Sequence, residues 1–346
     1  MPRSLTIILA FLTLLSPAIA QPPAEPGHPR QSPFIKRSFD PTVNGQWAGE
    51  AICYGPHRDG QSPNGLQPTP DQILEDLHII TRHWNMLRMY GARGATETTL
   101  KLIREHNLPL KVVVGAWIAT ETSLDEDGNP LETFPETIAN NQAEVQTAIR
   151  LANQYPDLVA AVTVGNETQV DWSFHPVQLP VLINYIRHAR AHTSVPVSTA
   201  DVSTYWATPE SKALADELDF IMTHIYAMWN AQPIDTALDW TRDQYNQGTT
   251  THPDHQFVIG EAGWATTSRK TGEEGELITG VASEANQTTF HREFVDWTTA
   301  EKIPNFFFQA FDEKWKGDEH ADGAEKHWGL YFSNRTPKQA LRQPQP

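Results

Sequence analysis

Cysteine is almost absent. The chain has 346 residues and one cysteine, Cys53, so neither an intrachain disulfide framework nor a cysteine zinc site is possible. Positive charge is also scarce. Lys and Arg number 26 against 42 Asp and Glu, a formal net charge of −16. Nucleic acid and anionic lipid both need a basic footprint, which this balance does not supply. Beyond the N-terminal region no stretch approaches the roughly 18 apolar residues of a membrane span, so no membrane insertion is expected. There is no G-x-S-x-G elbow, no P-loop and no Gly-rich dinucleotide loop after the first strand-like run. What remains open is a neutral substrate. With 39% hydrophobic residues the chain can bury a sizeable core, and its 11 tryptophans are numerous.

The first residues read as a secretory signal. Arg3 is the positive start, Leu5 to Leu15 is apolar, and Ala18-Ile19-Ala20 is a cleavage site before Gln21. Removal of residues 1–20 is expected, with export to the periplasm, the cell surface or the medium. Residues 21–39 are expected to be a disordered Pro-rich segment, residues 40–335 one catalytic domain, and 336–346 a C-terminal tail. The chain is expected to act as a monomer without cofactor or metal.

Eight short apolar runs punctuate the domain. They are Gln46–Tyr54, Asn85–Tyr90, Leu110–Trp117, Leu158–Gly165, Val195–Asp201, Asp219–Tyr226, Gln256–Ala262 and Asn305–Phe311. Several are continuously apolar, as buried parallel strands are. Helical patterns lie between them, at Asp71–Trp84, Thr96–Asn107, Pro135–Tyr155, Pro176–His192, Ile234–Tyr245 and Asn286–Thr299. Eight strand-like runs with helical patterns interposed predict a single-domain α/β fold, the closed (β/α)8 TIM barrel, over its rival, an open doubly wound sheet.

In such a barrel, chemistry gathers at the C-terminal ends of the strands. The fourth run ends at Glu167 and the seventh at Glu261. A carboxylate directly after five or more apolar residues is costly unless it is paired or used. One such glutamate alone is most simply a loop cap or an ion pair. Two at one mouth can divide the roles of acid and nucleophile. Tyr226, at the end of run six, is a candidate hydrogen-bond donor to Glu261. Arg88 and Tyr90 share one side of run two by the period of 2. The barrel-core ion pair is the competing reading for Arg88.

The motifs around these residues resemble family 17 glycoside hydrolases. Ile52-Cys53-Tyr54-Gly55-Pro56-His57-Arg58-Asp59-Gly60-Gln61 is similar to the first-strand signature of bacterial members, and Leu87-Arg88-Met89-Tyr90 to the second. Val164-Gly165-Asn166-Glu167 is similar to the acid/base motif and Ile259-Gly260-Glu261-Ala262-Gly263-Trp264 to the nucleophile motif. Phe311 to Lys316 and His327 to Leu330 resemble the end of the barrel. The resemblance spans about Cys53 to Tyr331. It implies a retaining enzyme of β-1,3-glucan, with Glu261 as nucleophile, Glu167 as acid/base and Asn166 on the sugar 2-hydroxyl. It also implies that Glu313 and Lys316 position the substrate, and that Tyr54, Arg88, Tyr90, Tyr226 and Trp264 join the substrate-binding set. One departure is visible: Ala265 stands where the family usually has proline.

Trp117, Trp172, Trp206, Trp229, Trp264 and Trp315 each fall just after a strand, on the face of the two glutamates. Indole faces suit the C–H faces of pyranose rings. Rival constellations are weaker. His188 and His192 form an i,i+4 pair without a third ligand, and Asp318, Glu319, His320 and Asp322 form an acidic turn without the EF-hand pattern. Three functions share the residues named: hydrolysis of a polysaccharide or oligosaccharide, transglycosylation, and non-catalytic glucan binding. Retention of both glutamates speaks against the third.

Overall fold

The computed structural model describes residues 28–342. The expected signal segment, residues 1–20, and residues 21–27 lie outside them. Eight parallel strands form a closed barrel: β1 (Glu50–Cys53), β2 (Met86–Met89), β3 (Lys111–Ala116), β4 (Val159–Asn166), β5 (Val197–Val202), β6 (Ile221–His224), β7 (Phe257–Ala262) and β8 (Asn305–Phe307). They follow one another round the ring in chain order, with β8 returning to β1 through Asn305 opposite Glu50. Each apolar run of the sequence supplies one strand. The first run is divided. Asn44 and Gly45 take φ of 51° and 73° in a tight turn, and Gln46–Trp47 pairs back on Thr42–Val43 before β1 begins.

The helices wrap the outside. They are α1 (Pro70–Ile80), α2 (Ala95–Glu105), α3 (Pro135–Gln154), α4 (Leu179–His192), α5 (Ile234–Thr251) and α6 (Glu284–Glu301). Local chemistry sets their starts. Thr69 caps α1 in a reciprocal capping box with Gln72, and Pro70 follows at the first helical position. Ser283 caps α6 by accepting from the Asn286 N–H. Between β5 and β6 only short turns replace a full helix, Ser203–Trp206 and Lys212–Ala215. Between β3 and α3 a hairpin, Thr122–Leu124 with Pro130–Thr133, rises from the mouth side.

Both ends of the described chain are tied down, against the expectation of a disordered segment and a tail. Phe39 is buried, and Gln256 brackets its backbone with bonds of 2.9 and 3.0 Å. Arg37 and Arg190 both pair with the buried Asp219, at 2.8 and 2.5 Å. At the other end Lys338 is buried with its Nζ 2.8 Å from Asp312, and Gln339–Arg342 is helical. Buried charges persist only when paired, and the pairs here reach across to barrel elements. Irregular, proline-rich sequence conceals this, because its anchors are single side chains.

Candidate active site

β7 delivers its carboxylate on a regular strand that is buried throughout, and Glu261 is only 5% exposed. Gly260 permits the approach of β6, since a Cβ there would meet Met222 Cγ at 2.4 Å. Arg88 Nη1 donates to Glu261 Oε1 at 2.7 Å, and the Tyr226 hydroxyl donates to Oε2 at 2.5 Å. His224 Nε2 lies 3.3 Å from Oε1. The Tyr90 hydroxyl lies beside the carboxylate without completing a well-formed hydrogen bond. Burial pushes the Glu261 carboxyl up, but His224, Arg88 and the Tyr226 hydroxyl outweigh it and hold it below the ordinary glutamate value. The arrangement favours an anion.

β4 delivers the other carboxylate from strained backbone. Gly165 takes φ of 82° and Glu167 itself φ of 51°, in the left-handed region. For a non-glycine residue this costs on the order of 1–3 kcal/mol. Bonds on either side hold it. The Glu167 N–H donates to Ala200 O at 2.8 Å, and the Gln169 N–H to Asp201 Oδ2 at 2.9 Å. Asp201 is fully buried at the end of β5, and burial raises its carboxyl to about 7 despite the N–H groups of Val202 and Gln169. Glu167 keeps one close side-chain partner, His224 Nδ1 at 2.7 Å from its Oε1. Its side chain is 19% exposed against 7% for Glu261.

His224 therefore stands between the two glutamates. One atom each from Glu167, His224 and Glu261 lie within 4.8 Å of one another, the one such cluster among the described residues able to hold a metal ion. A cation is already built into it. Arg88 Nη1 lies 2.7 Å from Glu261 and 3.0 Å from His224 Nε2, and Arg88 Nη2 donates to Asn166 Oδ1 at 2.6 Å. Glu261 Oε1 and His224 Nε2 thus already face a guanidinium, and Glu167 Oε1 faces His224 Nδ1.

The residues named from sequence divide into those that line the mouth and those that lie beneath it. Asn166, Tyr90 and Tyr226 are half-buried beside the glutamates. Lys316 lies across the mouth, 3.0 Å from Glu313 and over the Phe308 ring at 4.4 Å. Glu313 itself is buried; burial works against its charge, but Lys316, His57 and Trp315 hold its carboxyl at about 2. Three expectations need correction. Tyr54 is buried with its hydroxyl on Asp76 of α1, 3.2 Å away, inside an ion network with Arg335, so it does not meet substrate. Arg88 is 1% exposed and is the hub of the site rather than a sugar contact. Trp264 is fully buried against Phe290, and its Nε1 donates to Val281 O at 3.1 Å. Trp206 is buried likewise, while Trp117, Trp172, Trp229 and Trp315 remain partly exposed.

Sequence reasoning missed His224, Asp201 and Glu325. His224 had a signal: it lies two residues before Tyr226, at the end of β6. Glu325 had none, for it enters from a short turn after β8, Ala324–Lys326. There burial raises its carboxyl to about 7, with Glu167 and Glu261 adding to the rise. Ala265 is buried and gives its N–H to the Met228 sulfur at 3.3 Å, a bond that proline could not make. The rival constellations do not converge. The His188 and His192 rings lie 4.4 Å apart and tilted by 42°, with His188 Nε2 on the Gln146 side chain and His192 Nδ1 on the His188 carbonyl, and Asp318 pairs with Arg269 at 2.7 Å.

Residues 51–329 match the family described as the BtgE/BtgC glycoside hydrolase domain. The chain is 26% identical over 294 residues to a glucan 1,3-beta-glucosidase of Arthroderma benhamiae, covering 80% of this chain and 86% of that one. It is 28% identical over 286 residues to a glucan 1,3-beta-glucosidase of Schizosaccharomyces pombe, covering 78% and 80%. An endo-laminarinase from Formosa Hel1_33_131 superposes with a TM-score of 0.71 at 26% identity, over 85% of each chain. A family 17 β-1,3-glucanosyltransferase from Rhizomucor miehei shares the fold, with a TM-score of 0.65 at 23% identity over 84% and 95%. The motif resemblance, the closed barrel and the paired carboxylates thus agree, and the chain belongs to the BtgE/BtgC glycoside hydrolase family.

Proposed function

We propose that the protein cleaves β-1,3-glucan within the chain, with retention, through a glycosyl-enzyme on Glu261. The observation that carries this reading is the spacing of the two carboxylates. One atom from each lies within 4.8 Å of the other and of His224. A retaining pair stands about 5–5.5 Å apart, whereas an inverting pair leaves room for water at about 6.5–9.5 Å.

Glu261, held anionic by Arg88 and Tyr226, attacks the anomeric carbon. Glu167 donates a proton to the departing oxygen. It then takes a proton from water or from a sugar hydroxyl, whose oxygen displaces Glu261. Asn166 bonds the 2-hydroxyl of the sugar, and Lys316 with Trp315 receives a neighbouring ring. Names of the relatives support glucan as substrate. The N-terminal residues support export, and no described helix is long and apolar enough to cross a membrane.

Digestion of laminari-oligosaccharides followed by proton NMR tests the proposal. The first-formed product should carry the β-anomer. An α-anomer would establish inversion and overturn the role of Glu261. Binding without any product would leave a lectin.

A further inference from the structure

The loop that follows β4 carries aromatic side chains that the protein leaves uncovered. Trp172 is 60% exposed and Phe174 fully exposed. Leaving large apolar side chains in water is unfavourable, and a group of them beside a catalytic mouth marks a binding surface. The loop is braced. Val177 N–H closes it on Thr168 O at 3.0 Å, Thr120 Oγ1 holds Pro176 O at 2.8 Å, and Gln178 Nε2 donates to Thr122 O at 2.6 Å. It is also continuous with the catalytic pair. His175 Nε2 donates to Asn166 O at 2.8 Å, beside Glu167, and the half-exposed Trp117 ring lies 4.4 Å from the His175 ring. The adjoining hairpin adds the exposed Leu124 and Leu131. Asp125, Asp127 and Asp171 are exposed nearby. That rim repels an anionic lipid surface and leaves an uncharged sugar chain as the fitting occupant.

We propose that Trp117, Trp172 and Phe174 form a platform for the glucan chain on the leaving-group side of Glu167. This rests on the reading of Glu167 as the acid. The proton it donates goes to the oxygen of the departing chain, so the sugars beyond that oxygen lie on the β4 side. Trp315 and Lys316, after β8, stand four strands away round the ring. Once the first product leaves, the same platform holds an incoming glucan. Glu167 then removes a proton from its hydroxyl, the new C–O bond forms at the anomeric carbon, and the ester bond breaks with its electron pair returning to Glu261. A seated acceptor competes with water, so the platform sets the balance between transfer and hydrolysis.

The test compares the wild type with Phe174→Ala, Trp172→Ala and the double variant on laminari-oligosaccharides of increasing length. In the wild type kcat/KM should climb with length. The double variant should lose about tenfold of that climb on long chains, and its ratio of transfer to hydrolysis should fall. Trp172→Tyr should restore both, which separates loss of a platform from loss of folding. Phenolate release from an aryl laminari-oligoside reads the catalytic pair without needing a long leaving chain. No release by the wild type would sink the reading of the pair, with the platform still judged by binding of long chains. Unchanged length dependence and transfer ratio in the double variant would overturn the platform. So would a change confined to self-association in ultracentrifugation, which would make this face a contact between copies.

Discussion

The two glutamates at the mouth are held in opposite ways. Glu261 sits on a regular strand, nearly buried, with partners on both oxygens. Glu167 sits on left-handed backbone, more exposed, with His224 as its close side-chain partner. The contrast suits the roles proposed for them. A nucleophile must be an anion in one position, and four surrounding groups fix both charge and aim. An acid that becomes a base must exchange a proton with leaving group and acceptor, so access matters more than anchorage. Rigidity is thus placed in the side-chain contacts of one glutamate and in the backbone bonds of the other.

The largest expected effect separates the pair. Glu261→Ala should abolish turnover of both glucan and activated aryl glycosides, since no ester can form. Glu167→Ala should lose on the order of 10²–10⁴ on glucan, yet still release phenolate from an aryl glycoside of low leaving-group pKa. Its trapped intermediate should be rescued by azide to a β-glycosyl azide. Rescue of Glu261→Ala to a β-product by azide would reverse the assignment.

Next comes the hub. Arg88→Met leaves Glu261 buried without its guanidinium. Removing one partner of a buried pair costs about 3–5 kcal/mol, which thermal unfolding should register. The acidic limb of kcat/KM should move upward, because Arg88 is one of the groups that hold Glu261 below its ordinary value. A variant as stable as the wild type, with its limb unmoved, would show that the arginine is not the support of the nucleophile.

These features were unequally legible in the sequence. Glu167 and Glu261 announce themselves because an apolar strand ending in a carboxylate is costly unless used. The barrel is equally legible, since each buried parallel strand writes a short apolar run. Partnerships across the barrel are not. Arg88 shares a face with Tyr90 in the period of a strand, but Asn166, His224 and Glu261 reach it from three other strands. Trp264 and Tyr54 mislead for a related reason. Position just after a strand places a residue near the mouth, yet the side chain turns outward to Phe290 and Asp76. Anchors such as Asp219 and Lys338 pair with residues far away in sequence, where no periodicity points.

A smaller effect is expected from Tyr226→Phe, which removes one hydrogen bond to Glu261 Oε2 and little volume. A bond to a charged group is worth about 1.5–3 kcal/mol, and Arg88 remains, so kcat/KM should fall by roughly tenfold. The acidic limb should rise, as for Arg88→Met but by less. Equal shifts in the two variants would mean that geometry, not charge, controls the nucleophile.

The smallest effect tests the backbone support of Glu167. Asp201 accepts the Gln169 N–H and is held near 7 mainly by burial. Its ordinary value is 3.8, so between about 4 and 7 the folded state binds the proton that the unfolded state has lost. Stability should therefore decline with rising pH across that window, by no more than about 1.4 kcal/mol per pH unit. Glu261 behaves in the opposite sense. Its folded value lies below the ordinary 4.5, so its contribution is complete above that value and is lost only as pH falls through the lower one. Asp201→Asn cannot ionise and should flatten the decline between pH 4 and 7, measured by urea unfolding. The Gln169 and Val202 N–H groups sit on different oxygens of Asp201, and the amide keeps only one oxygen, so the Glu167 loop should loosen. Hydrolysis of glucan, which needs the acid, should slow by a few-fold, while phenolate release from an aryl glycoside stays within about twofold. If both substrates slowed equally, Asp201 would support the nucleophile as much as the acid, and the division between the two glutamates would fail at that strand.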